Sequence, residues 1–382
     1  MGMNFPTCWR GRGELRYPFP GGDQGVRRLN NATQRPATIR DVARAASVSV
    51  GTVSRTLNAP DTVRPTTLEK VRSAIKALGF KPDARAQGMR RRNTLTIGFI
   101  VSDISNPLHA MLFKAAESEL RERGYSLHLV NTGGNADREA EAIDMMQHGR
   151  VDGIIMTLNS ERDSRCADRL QNLRVPSVLL DREIGLDIDA VRTDHATGME
   201  QAVDYLIELG HRRIALITFG EEILPGRERI RGFVEAFERR GLECPRDLIR
   251  AHSPAPDVGF RDTSALLGQR DPPTALIAGG NQFLAGVLRV VQQQRIVIPD
   301  QLSLVTCDRT DLSILYPGPL TVIARDIDEM GRTSAQLLLE RLGSGADLPA
   351  RRIRLPTTLV LGRSCARPWT GAGLRTAATV ND

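Results

Sequence analysis

Between Thr38 and Phe80 apolar residues recur at spacings of three and four: Ile39, Val42, Ala43 and Ala46, then Val53 and Leu57, then Leu68, Val71, Ile75 and Leu78. A period near that of the α-helix predicts three short amphipathic helices, each with one inward stripe. Beyond Asn93 the pattern changes to short apolar runs at 95–101, 126–130, 153–156, 177–180, 190–193, 213–218, 274–278, 302–306 and 321–324, which read as strands. Amphipathic stretches between them, among them 108–123, 197–209, 229–240 and 326–342, read as helices. Alternating strands and helices predict an α/β fold with parallel sheets. Eight or more such units over about 270 residues exceed one doubly wound sheet, so two lobes with a cleft between them are expected. Residues 1–36, rich in Gly, Pro and Arg without periodicity, read as a disordered extension.

Charge sharpens this division. The 382 residues sum to +7, but residues 35–92 hold thirteen Lys/Arg against Asp41, Asp61, Glu69 and Asp83, while 93–382 are net acidic. A basic head on a mildly acidic body is the footprint of a phosphate-meeting module joined to one that meets none. Cys8, Cys166, Cys244, Cys307 and Cys365 are scattered, with no C-x-x-C, and predict neither a disulfide framework nor a zinc site. No apolar run reaches the ~18 residues of a membrane span. The opening residues lack the apolar core of a secretion signal, so the expectation is a cytoplasmic protein without membrane contact.

In the head, Thr38-Ile39-Arg40-Asp41 has the form of a capping box, and Ser49 can cap a second helix after the turn at Ala46-Ser47-Val48. Val50, Gly51, Thr52 and Arg55 then fall at the start of that helix, with Val53 turned inward. This is the end of a recognition helix that meets base edges in the major groove. Arg55 can pair with the O6/N7 edge of guanine, Thr52 can bond a base or phosphate, and Val50 can touch a thymine methyl. The same charges also suit phosphate contact or a solvated surface, and small helical domains also dock proteins.

Thr38-Ile39-Arg40-Asp41-Val42-Ala43 followed by Val48-Ser49-Val50-Gly51-Thr52-Val53-Ser54-Arg55-Thr56-Leu57-Asn58 closely resembles the head of the lactose-repressor (LacI/GalR) family. The resemblance continues through 82–89, Ile97-Gly98 and Ser105-Asn106-Pro107 to about Ser364. It implies a sequence-specific transcriptional regulator, a repressor, with DNA contacts from Thr38, Ser49, Val50, Gly51, Thr52, Ser54, Arg55 and Asn58. It also implies a hinge that orders on operator DNA and contributes Ala86, Met89 and Arg90, with Met89 as the apolar wedge in the minor groove. Two positions depart from the family. Gly88 weakens the hinge helix by about 1 kcal/mol relative to alanine, and Arg64-Pro65 replaces a capping serine before the third helix.

In open α/β sheets ligands bind beyond the carboxyl ends of the strands. Polar residues following the predicted strands are Asp103 to Asn106, Asp181, Arg182, Asp194, Asn281 and Asp308. The resemblance maps most of them onto effector contacts and adds Arg229, which in relatives bonds a sugar hydroxyl or a carboxylate. The expected effector site is therefore Asp103, Asn106, Asp181, Arg182, Asp194, Arg229, Asn281 and Asp308, for a sugar, sugar acid or related molecule. Asn281 stands where aspartate is common, and Leu108-His109 replaces an aromatic pair. His109 and His195 have no partner at ligand spacing, so no metal, cofactor or catalytic centre is expected.

The expected plan is an extension at 1–36, a helix-turn-helix head at 37–82, a hinge at 83–93, a core at 94–368 and a flexible tail at 369–382. Within the core, one lobe takes about 94–194 plus 326–355 and the other about 195–325 plus 356–368. Residues 369–382 lack the leucine heptad by which relatives tetramerise, which predicts a homodimer. Rival readings are a cytoplasmic ligand-binding protein with an incidental head, and a regulator without a small-molecule effector.

Overall fold

The first helix of the head, α1 (Ile39–Ala45), starts at a reciprocal cap: Thr38 N–H donates to Asp41 Oδ2 at 2.9 Å while Asp41 N–H donates to Thr38 Oγ1 at 3.4 Å. These are residues of a computed structural model that describes 37–80, 94–148, 151–252, 257–344 and 349–369. The expectations for 1–36, for Ala86, Gly88, Met89 and Arg90 in the hinge and for 370–382 lie outside the described residues. After α1 the chain turns at Ser47, which adopts a left-handed φ of 54°. It re-enters helix at α2 (Val50–Asn58), where Ser49 Oγ accepts from Thr52 N–H at 3.1 Å. Helix α3 (Pro65–Leu78) begins on a proline with no side-chain cap and stops at Gly79, whose φ of 56° a side chain would strain. Val42, Ala43, Ala46, Val53, Val71 and Ala74 form the buried centre of this three-helix unit.

The second unit holds two six-stranded sheets. The first lobe runs β1 (Thr96–Val101), α4 (Pro107–Glu122), β2 (Ser126–Asn131), α5 (Ala136–Gln147), β3 (Gly153–Met156), α6 (Ser164–Gln171), β4 (Ser177–Leu180) and β5 (Asp189–Thr193). The chain then crosses into the second lobe. That lobe comprises α7 (His195–Leu209), β6 (Ile214–Phe219), α8 (Leu224–Arg239), β7 (Ile249–His252), α9 (Val258–Leu267), β8 (Ala275–Gly279), α10 (Asn281–Gln293), β9 (Ser303–Cys307), α11 (Asp311–Leu315) and β10 (Thr321–Arg325). It returns to the first lobe for α12 (Ile327–Ser344) and β11 (Arg352–Leu355), then crosses a third time into β12 (Thr357–Val360).

The sheet orders are β11-β5-β4-β3-β1-β2 and β12-β10-β9-β8-β6-β7. All pairings are parallel except β10 with β12. Parallel strands must be covered on both faces, and alternate residues sort accordingly. In the first lobe Phe99, Ile155 and Val178 join one cluster with Leu112, Leu120 and Leu338, while Ile100, Ile154 and Leu179 join another with Ile143 and Met146. No helix among the described residues is long and apolar enough to cross a membrane.

The predicted strands and helices are present with ends displaced by a few residues. The larger shift is α8, which begins at Leu224 rather than near Arg229 because Pro225 fits its first turn. Strands β7, β11 and β12 had not been anticipated. They are short outer strands of four residues in which Arg250, His252, Arg352, Arg354, Thr357 and Thr358 interrupt the apolar positions, so no continuous apolar run marks them.

Candidate functional site

On α2 the capping hydroxyl of Ser49 fixes the first turn, and Val53 and Thr56 are buried against the other two helices. That packing leaves Val50, Gly51, Arg55 and Asn58 exposed, with Thr52 and Ser54 half-buried beside them. Among the described residues Arg55 holds only a long contact from Nε to the Gly51 carbonyl, 3.4 Å, and Asn58 Nδ2 donates to the Ser54 carbonyl at 2.9 Å. Thr38 is half-buried, and its hydroxyl donates to Asp41 at 2.6 Å. The described part of the head carries seven Lys/Arg against Asp41, Asp61 and Glu69. The arrangement is a protruding polar helix end in a cationic unit, suited to a DNA groove.

In the second unit the carboxyl ends of both sheets meet at one cleft. Asp181 follows β4 and Asp308 follows β9, the corresponding strand of the other sheet, and each has a left-handed φ, 48° and 70°. Those backbone kinks aim both carboxylates at Arg325, the last residue of β10. Its Nε donates to Asp308 Oδ1 at 2.5 Å and its Nη1 pairs with Asp181 Oδ2. Asp181 Oδ1 accepts from Thr193 N–H at 2.8 Å, and His195 Nε2 lies 3.2 Å from Asp181 Oδ2. Burial alone would raise the Asp181 pKa, but His195, Arg325 and the Thr193 hydrogen bond outweigh it and hold the carboxyl well below its usual range. Burial opposes the charge of Arg325 too, and its two aspartates more than restore it, so its pKa lies above the ordinary value. Burial lowers the His195 pKa despite Asp181, which favours a neutral imidazole. Arg325 is therefore the cation that holds both lobes' aspartates.

Around this centre lies a cavity of about 80 Å³ lined by residues of both lobes, including Asn106, His109, Asp181, Arg182, Phe219, Arg229, Asn281, Asp308 and Arg325. Arg182 donates from Nη1 to the Asp181 carbonyl at 2.8 Å and from Nε to the Leu158 carbonyl. Arg229 donates from Nη1 to the Gly279 carbonyl at 2.6 Å, with its guanidinium 5.7 Å from the Phe219 ring centre. Asn281 Nδ2 donates across the cleft to Asn106 Oδ1 at 3.1 Å, and the same oxygen caps α4 through Leu108 N–H. His109 Nδ1 sits 2.6 Å from the Asp103 carbonyl, and burial lowers its pKa.

Six of the eight expected effector residues thus line one cavity: Asn106, Asp181, Arg182, Arg229, Asn281 and Asp308. The other two do not. Asp194 caps α7 through Thr197 N–H at 3.2 Å and pairs with Arg354 at 2.5 Å, because it occupies the first crossing between lobes rather than the cleft wall. Asp103 is engaged by Ser105 and faces an adjoining outer hollow of about 960 Å³, which shares Asn106, Asn281 and Gln282 with the inner cavity and also takes in Met111, Leu312 and Ile314. Although far larger, that hollow has a mainly apolar lining and holds none of the Arg325 network, so the inner cavity is the better candidate for polar recognition.

Sequence reasoning missed Arg325. The rule that selected Asp308 would have reached it, one residue past the apolar run ending at Ala324. It also missed Glu161, whose carboxylate accepts from Leu224 N–H at 2.7 Å and pairs with Arg227 at 2.6 Å, tying the first lobe to the start of α8. A third miss is Glu139, buried at 1% exposure on α5, where it accepts from Asn159 N–H at 2.8 Å. Burial raises its pKa.

Residues 38–83 match the family model "Bacterial regulatory proteins, lacI family", and residues 203–365 match the "Periplasmic binding protein-like domain". The chain is 31% identical to the ribose operon repressor of Escherichia coli (strain K12) over 332 residues, 86% of this chain and all of that one. Its fold is similar to that of a lac repressor dimer bound to operator and the anti-inducer ONPF, with a TM-score of 0.76 at 26% identity over 87% of this chain and 100% of the other. It is also similar to a complex of the transcriptional regulator CelR with cellobiose, TM-score 0.66 at 28% identity, covering 86% and 99%.

Proposed function

Because the chain belongs to the lacI family of bacterial regulatory proteins, we propose that its inner cleft takes a small polyhydroxylated effector, a sugar or sugar derivative, whose binding alters operator affinity. The protein is a DNA-binding transcriptional regulator of the repressor type and not an enzyme. The observation that carries the effector reading is the convergence of Asp181 and Asp308, one from each lobe, on Arg325. Planar carboxylate and guanidinium groups fixed in this way suit paired hydrogen bonds to a polyol. The ribose operon repressor and the regulator crystallised with cellobiose support the same class of ligand.

The cavity of about 80 Å³ is far below the roughly 300–1,000 Å³ of small-molecule sites. An effector therefore enters with the lobes further apart, and its energy of binding is read as a change in lobe angle. Coupling requires the effector to prefer one lobe arrangement over the other. On the DNA side, Ser49, Val50, Gly51, Thr52, Ser54, Arg55 and Asn58 form the reading surface, with Thr38 beside it and Ala86, Met89 and Arg90 acting in the hinge. The functional unit is a homodimer, as the lac repressor on its operator is; exposed Met111, Leu312 and Ile314 at the outer hollow supply apolar surface for a second copy. Mobility shift with the promoter region of the protein's own gene, titrated with pentoses, hexoses and their acids, tests the whole reading. An operator complex insensitive to every one of them would overturn the effector assignment.

A further inference from the structure

Arg182 and Arg229 line the same inner cavity and are almost fully buried, at 7% and 3% exposure. Among the described residues neither guanidinium has a carboxylate at ion-pair distance, whereas Arg325 in the same lining has two. The partners they do have are neutral: the carbonyls of Leu158 and Asp181 for Arg182, and the Gly279 carbonyl and the Phe219 ring for Arg229. Arg229 Nε is buried with no acceptor at all. Burial lowers the Arg182 pKa, and Glu161, Asp181 and Glu139, at longer range, only partly offset it. The two histidines beside the site, His109 and His195, have their pKa values lowered by burial and supply no negative charge. The lining thus sets three guanidiniums against two aspartates, and both aspartates are committed to Arg325.

A buried cation without a counter-ion is costly, and a protein that keeps two of them around one cavity leaves a place for an anion. The start of α10 adds to this, because Asn281 opens that helix on the cavity wall with no side-chain cap, leaving backbone N–H groups of positive character. We infer that the effector is an anionic polyol, whose carboxylate or phosphate ester accepts hydrogen bonds from Arg182 and Arg229 while its hydroxyls meet the Asn106, Asn281 and Gln282 amides. This rests on the reading of the cleft as the effector site, and it narrows the ligand from sugars in general to sugars that carry an oxyanion. Planar guanidiniums suit either oxyanion, and the two sources are separated by experiment.

The test is calorimetry on the full-length wild-type protein with matched probes: an aldonate, its uncharged aldonamide, the parent aldose and the aldose phosphate, for a pentose and a hexose. The expected result is that at least one aldonate or aldose phosphate binds about tenfold or more tightly than its uncharged partners, as a charge-assisted contact demands. Which of the two wins identifies the oxyanion. Arg182→Gln and Arg229→Gln should each remove most of that preference, and Arg182→Lys should restore part of it. Because the comparison of probes is made on wild-type protein, a variant that fails to fold does not remove the test. Equal or tighter binding of the uncharged aldose or aldonamide overturns the anionic inference and leaves the polyol reading standing. Failure of all probes, charged and uncharged, to bind or to change operator affinity overturns both.

Discussion

Asp181 and Asp308 share one partner, Arg325, although they follow strands of different sheets and lie more than a hundred residues apart in sequence. Each sits in the left-handed region at the end of its strand, where the backbone can turn a carboxylate sideways into the cleft. One guanidinium thereby measures the alignment of the two lobes.

Removing that guanidinium leaves two buried carboxylates without their shared cation, Asp181 keeping only the Thr193 N–H and His195. Arg325→Gln should cost about 3–5 kcal/mol of stability in the core, the usual penalty for breaking a buried ion pair from one side. Urea unfolding of the variant against wild type measures it. A loss under about 1 kcal/mol would mean that the network behaves as a solvated surface pair.

The same network sets a pH dependence. The folded state holds the Asp181 pKa below its unfolded value, so its contribution is fully present above about pH 4 and is lost as pH falls towards the folded pKa. Wild type should therefore lose stability below about pH 4 more steeply than Asp181→Asn does. Parallel curves would remove Asp181 as the cause.

In the head, Arg55→Ala should weaken specific operator binding by about 1–3 kcal/mol, roughly five- to 150-fold, while leaving binding to unrelated DNA nearly intact. Its thermal unfolding should not change, because Arg55 is exposed and holds only a 3.4 Å contact to Gly51. Fluorescence anisotropy with operator and scrambled duplexes separates the two effects. Equal loss on both would make Arg55 a phosphate contact instead.

Where α7 crosses α8, a Cβ on Gly232 would lie 2.4 Å from the Ala196 carbonyl oxygen and 2.9 Å from its carbon. Glycine to alanine in a helix ordinarily stabilises by about 1 kcal/mol. Gly232→Ala should instead destabilise by about 1–3 kcal/mol, since the clash is with backbone that cannot swing aside. A rise in the urea midpoint would show that the two helices can part at that crossing.

Glu161 bridges the lobes through Leu224 N–H and Arg227, and its side chain is 3% exposed. Glu161→Gln keeps the shape and removes the charge, which should cost about 1–2 kcal/mol of the closed arrangement. Effector affinity should rise by up to about tenfold, because the more open arrangement is the one with room for the ligand, and small-angle scattering should report a more open average. Unchanged scattering with unchanged affinity would leave the contact without a part in closure.

The lobes were legible because strands covered on both faces must be apolar throughout, so runs such as Ile214–Phe219 stand out of any window. The cleft was legible for the same geometric reason, since a polar residue directly after such a run falls at a strand's carboxyl end. Arg325 satisfied that rule too, directly after the apolar run ending at Ala324, and was passed over. Glu139 escaped for a different reason: on an amphipathic helix it reads as a solvated acid, and the Asn159 amide that permits its burial belongs to the loop after β3. Asp194 shows the reverse error, since following a strand also describes a residue on the crossing segment, where a helix cap needs the carboxylate.

The three crossings between the lobes bear on the order in which a growing chain can be completed. The head is finished once Phe80 has emerged, and it has its own small core. Neither lobe can be finished before Arg352 to Val360 have emerged, since β11 forms one edge of the first sheet and β12 one edge of the second, and only Pro356 separates them. A nascent chain halted between Arg325 and Arg352 would therefore present a finished head and two sheets each lacking an outer strand, with β5 and β10 exposed to mispairing until those strands emerge.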